Sequence, residues 1–96
     1  MRVRYTPRAF ADREAIFEYL EQRDLRTARR VKAFITDKIA SLSHSPRRAR
    51  FVKDLGVHAF WLGRYPYIVY YRVSGEVVSI IHIRHGARRP WDGGSD

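Results

Sequence analysis

The sequence predicts an α+β domain: an N-terminal strand, an antiparallel helix hairpin, then a three-stranded antiparallel meander, with the helices on one face of a small sheet. Three observations carry this prediction. Two long segments, residues 7–23 and about 25–42, repeat apolar side chains at three-and-four spacing. Three later segments are short, rich in Tyr, Val and Ile, and divided by glycine-bearing turns. The opening residues alternate apolar and polar until a proline stops them.

Val3 and Tyr5 alternate with Arg2, Arg4 and Thr6, as a half-buried strand does. Thr6 can cap a helix, and Pro7 suits its first position because no N–H is needed there. Phe10, Ile16, Phe17 and Leu20 form the apolar stripe of this first helix, with Ala9 as a small contact on the same side. Asp12, Glu14, Glu18 and Glu21 are expected to face water. Asp24 caps the second helix, whose buried face is Ala28, Val31, Ile35, Ile39 and Leu42, with Phe34 adjacent. So short a join makes the two helices an antiparallel hairpin. Residues 43–56 are a connector, broken by Pro46 and strongly basic through Arg47, Arg48, Arg50 and Lys53. A phosphate-facing loop has this composition, and so has a solvated one.

The meander strands are expected at residues 57–62, 65–73 and 76 to about 84. If Ser74-Gly75 is a two-residue turn, Val73 pairs with Glu76. The helix-facing side then carries Tyr67, Val69, Tyr71, Val73, Val78, Ile80 and His82. The other side carries Ile68, Tyr70, Arg72, Val77, Ser79, Ile81 and Ile83. A slip of one residue would exchange the faces. Two helices cover one side of a sheet, so the second side stays open, apolar in part and rimmed by cations. An acidic peptide with apolar anchors fits Ile68, Tyr70, Arg72 and Ile81, and a nucleic acid fits as well. Trp91 is expected to pack back on the body, which makes residues 1–91 one domain and 92–96 a flexible polar tail.

Composition excludes several classes. The 96 residues suffice for one modest core, and 45% hydrophobic content supports folding. There is no cysteine, hence no disulfide, thiolate site or cysteine nucleophile. No apolar run is long enough for a signal core or a membrane span, so a soluble cytoplasmic protein is expected. The formal charge of +9 favours polyanionic partners. His44, His58, His82 and His85 lack neighbouring carboxylates at ligand spacing, so neither metal nor cofactor is expected. His82 should sit partly buried and hydrogen-bonded. His85 follows a strand among arginines, where an imidazole could move protons during RNA cleavage while Arg64, Arg84 and Arg88 hold the charged phosphorane. An exposed imidazole in a basic turn has the same sequence.

Taken in order, these pieces resemble the ParE/RelE superfamily of bacterial type II toxins. Val3 and Tyr5 precede a helix with Ala9, Asp12 and Ile16; Ala28 and Ile35 lie on the second helix, and Pro46 follows it. The closest correspondence is residues 67–73, YIVYYRV, followed by 80–83, IIHI, and 85–88, HGAR. The resemblance implies a growth-inhibiting toxin, neutralised in a hetero-oligomer by a cognate acidic antitoxin that wraps it. RelE-like members cut messenger RNA on the ribosome, and ParE-like members are associated with inhibition of DNA gyrase. RelE-type cutters carry a basic residue early in the third strand, where this chain has Ile68, and a tyrosine shortly after the position of Arg88, where it has Arg89, Pro90 and Trp91. The tandem tyrosines and the HGAR segment are more similar to ParE. The resemblance therefore implies gyrase binding, with Ile68, Tyr70, Arg72 and Ile81 for the antitoxin. Arg47, Arg48, Arg50, Lys53, Arg88, Arg89 and Trp91 are assigned to the target or to nucleic acid. Ribosome-dependent cleavage through His85, or a non-toxic basic binding module, are the alternatives.

Overall fold

Thr6 makes the first join. Its hydroxyl accepts the Ala9 N–H at 3.2 Å, capping the first helix, and donates to the Ile80 carbonyl at 2.8 Å, tying that helix to the sheet. In the computed structural model, described for residues 1–86 and 91–94, strand β1 (Arg2–Tyr5) precedes helices α1 (Pro7–Arg23) and α2 (Leu25–Ala40). Asp24 separates the helices and caps α2, accepting from the Arg26 N–H and the Thr27 hydroxyl. The Thr27 bond, reinforced by the Arg26 and Thr27 backbone and by Arg30, holds its carboxyl below the usual range. A 3-10 turn (Ser41–Ser43) then leads to β2 (Arg50–Val52), β3 (Val57–Trp61), β4 (Tyr67–Ser74) and β5 (Val77–His85).

The five strands form one sheet in the order β1-β5-β4-β3-β2. β1 runs parallel to β5, and the other neighbours are antiparallel. The helix hairpin supplies the crossover that a parallel β1–β5 pair requires. Ala9, Phe17, Val31, Ile35 and Ile39 from the helices meet Phe60, Val69, Tyr71, Val78, Ile80 and Ile83 from the sheet in one core. Val69, Tyr71, Val78 and Ile80 are wholly buried, and each of the three aliphatic side chains contributes roughly 1.5–3 kcal/mol.

Four features differ from expectation. The basic connector contains a strand: Arg50, Phe51 and Val52 pair with Ala59, His58 and Val57, so the meander has a fourth member. Three residues of mixed polarity carry too little periodicity to announce it. The hairpin turn is Gly75-Glu76 rather than Ser74-Gly75, because Ser74 pairs with Val77 and Gly75 takes φ +58. That two-residue shift preserves the faces near the turn, but a bulge reverses them farther along. Tyr71 pairs with Ile80 and Tyr70 with His82, which leaves Ile81 as the extra residue. Ile83 therefore joins the helix-side core and His82 turns to the open side, the opposite of the regular register. Finally, Phe10 is 51% exposed although it fits the helical stripe, while Asp12 is engaged with β5 instead of water.

Candidate functional site

On the side away from the helices, Tyr70, Val57 and Trp91 form a second, smaller cluster, with Leu55, Ala59, Ile68 and Ile81 packed against it. Strand alternation explains the membership, since Ala59, Tyr70 and His82 are cross-strand partners in one row and Trp61, Ile68 and Arg84 in the next. The four candidate antitoxin contacts are thus placed clear of the helices. They differ in access: Ile68 and Ile81 are half-buried, Arg72 is exposed, and Tyr70 is only 6% exposed. Trp91 covers Tyr70 at a ring separation of 4.7 Å, so the expected open tyrosine is roofed.

The roof is pinned at β5. Trp91 Nε1 donates to the Gly94 carbonyl at 2.7 Å, and Arg8 donates to the same carbonyl at 2.6 Å. The Arg8 guanidinium also lies 5.7 Å from the Trp91 ring and reaches His82 Nε2 at 3.4 Å. An arginine N–H only donates, so Nε2 accepts, and Nδ1 carries the hydrogen given to Asp12 Oδ2 at 2.6 Å. The same carboxylate oxygen accepts the Ile83 N–H at 3.0 Å. β1 ends opposite Ile80, and Asp12 takes over the exposed edge of β5 just beyond it. His82, 4% exposed, packs in a three-ring cluster with Tyr70 and Trp91, at centroid distances of 5.9 and 4.9 Å, so its position is that of a structural group. Arg8 and Asp12 were not expected here. Their helical spacing says nothing of a strand some seventy residues later, and no local sequence signal could have placed them.

Of the proposed nuclease residues, Arg84 and His85 line one cleft with Arg8, Asp12, Tyr67 and His82. His85 pairs with Tyr67 on the helix side, with rings 5.5 Å apart at 80°. Arg84, its neighbour on β5, pairs with Ile68 and is 7% exposed. Arg64 sits in the β3–β4 turn, 5.8 Å from the Tyr65 ring. Arg88 and Arg89 lie outside the described residues. Burial raises the Tyr67 phenol above its ordinary range, with Tyr19 adding to the effect. Among the cations of the connector, Arg48 lies 4.9 Å from the Phe60 ring and donates to the Ser41 hydroxyl. Arg47, Arg50 and Lys53 are exposed. Among the described residues, no group of three or more His, Cys, Asp or Glu side chains is placed to hold a metal ion. No helix among them is long and apolar enough to cross a membrane.

A strand, a helix hairpin and an antiparallel meander, with a covered and an uncovered sheet face, are accompanied by a family match over nearly the whole chain. Residues 3–90 match the model of the ParE toxin of the type II toxin–antitoxin system, parDE. The chain belongs to the ParE toxin family. The ParE-family fold is also that of a solved structure described as a chromosomal ParDE TA system from P. aeruginosa. The two share a TM-score of 0.77 and 24% identity, over 88% of this chain and 95% of that one. No curated protein matches the sequence. For this ParE-family toxin the match includes β1 from Val3 onward, both helices and strands β2 to β5.

Proposed function

We propose that this toxin arrests growth by binding DNA gyrase, with no bond-breaking chemistry of its own, and that an acidic antitoxin neutralises it by occupying the open face of the sheet. The observation that carries the non-enzymatic part is that the imidazoles and guanidinium groups lining the cleft beside β5 are engaged within the fold. His85 packs edge-on against the Tyr67 ring, and Arg84 is 7% exposed. His82 is committed to Asp12, with Arg8 at its other nitrogen. General acid–base catalysis needs the proton-transfer group within hydrogen-bond reach of the reacting oxygen, and charge stabilisation needs donors aimed at that same centre.

The antitoxin assignment rests on shape and charge. Ile68 and Ile81 offer half-buried apolar contacts beside the exposed Arg72, on a chain of net charge +9. An acidic chain with apolar anchors complements both features. Supercoiling by purified gyrase, with the toxin alone and with toxin plus antitoxin, tests the proposal. Inhibition by the toxin and relief by the antitoxin are expected. Unchanged supercoiling at saturating toxin would remove the gyrase assignment. Transcript cleavage in a translation reaction, lost in His85→Ala, would replace it with ribosome-dependent cutting.

A further inference from the structure

We propose that Trp61 and Arg50 form a stacking platform for single-stranded nucleic acid, a binding activity beyond the gyrase and antitoxin assignments. Trp61 is the last residue of β3 and is 52% exposed, an unusual position for a large indole that burial would stabilise. It is nevertheless held in place. A Cβ built on Gly86 would lie 2.3 Å from Trp61 Cζ3, 3.0 Å from Cη2 and 3.3 Å from Cε3. The benzo edge of the indole therefore rests directly on the Gly86 backbone, and any side chain there would displace it. The result is a braced aromatic surface facing solvent.

The surroundings of this ring are cationic. Trp61 borders a cleft lined also by Arg48, Arg50, Ile68 and Tyr70, and among the described residues no Asp or Glu lines it. Arg50 pairs with Ala59, two positions before Trp61, so Arg50 and Trp61 share the face turned from the helices. A flat aromatic surface beside guanidinium groups matches a base with its adjoining phosphate. In a duplex the base faces are occupied by their neighbours, so the geometry selects a single strand. An excess of 19 Lys and Arg over 10 Asp and Glu makes a polyanion the favoured occupant over an apolar peptide.

The test is fluorescence anisotropy of a labelled oligothymidylate of about 12 nucleotides, titrated with the purified toxin over a salt series. Binding that weakens with salt is expected. Trp61→Ala should weaken it about tenfold or more, and Trp61→Phe should lose less because a ring remains. Gly86→Ala, which keeps the indole but dislodges it, should also weaken binding. Arg50→Ala should reduce the salt slope by about 0.7, the value for one phosphate on a single strand. Far-UV circular dichroism of each variant separates loss of contact from loss of fold. Absence of binding at low salt overturns the proposal, as does binding that a folded Trp61→Ala leaves intact or that a duplex of equal length matches. If the oligonucleotide never binds and Trp61→Ala instead abolishes antitoxin capture, the ring is a protein anchor. None of these readings uses gyrase, so this proposal and the gyrase assignment fail separately.

Discussion

Asp12 is a surface-type residue on an amphipathic helix, yet one of its oxygens takes both the His82 Nδ1 hydrogen and the Ile83 N–H. Asp12→Ala would strand these two donors next to buried side chains. Unsatisfied buried donors cost about 1–3 kcal/mol each, partly recovered here by water at a half-buried site, so a loss of about 2–3 kcal/mol is expected in denaturant unfolding. Asp12→Asn keeps an acceptor and should lose less. Equal stability of Asp12→Ala and wild type would show that the contact contributes nothing. At this scale the sequence was least informative. His82 could be anticipated as buried and bonded from its place in an apolar run, but its partner lies seventy positions away in the chain. Tyr70 was correctly placed away from the helices and wrongly pictured as open, because nothing local to Trp91 says which ring it will cover.

The helices were the most legible elements. Thr6-Pro7 and Asp24 are start signals with a direct physical cause, and α1 begins and ends where they place it. Thr6 does more than cap, since it also bonds the Ile80 carbonyl. Thr6→Ala should therefore destabilise by about 1–2 kcal/mol, at the upper end for a cap. Thr6→Ser, which retains the hydroxyl, should recover most of that, and equal melting of all three proteins would refute the double role. Strands were legible as existing but not in register. The bulge at Ile81 has no compositional mark, and one extra residue was enough to exchange His82 and Ile83 between faces. The short β2 strand was hidden for a related reason: its pairing with β3, rather than its own pattern, makes it a strand.

At the scale of the whole molecule, one core joins the helices to the sheet, and three tyrosines are bound into that arrangement. Burial pushes the phenols of Tyr5, Tyr67 and Tyr71 above their ordinary value. A raised phenol favours the protonated form in the folded state, so its stabilisation is complete below the unfolded value of about 10 and is lost as pH climbs through the folded one. The urea midpoint should thus hold level to about pH 9 and fall above about pH 10. A midpoint that rises there would contradict the burial of these rings. The covered side of the sheet follows from the sequence's periodicities, as does the existence of an uncovered one. What the uncovered side meets does not follow, because complementarity belongs to two molecules. The central proposal is that the antitoxin sits on that uncovered side. Hydroxyl-radical footprinting of the toxin alone and in complex with its antitoxin tests this most directly. Protection of Ile68 and Ile81, with the exposed helix residues Phe10, Tyr19 and Leu25 still reactive, is the predicted pattern. Protection of Phe10, Tyr19 and Leu25 with Ile68 and Ile81 unchanged would contradict it.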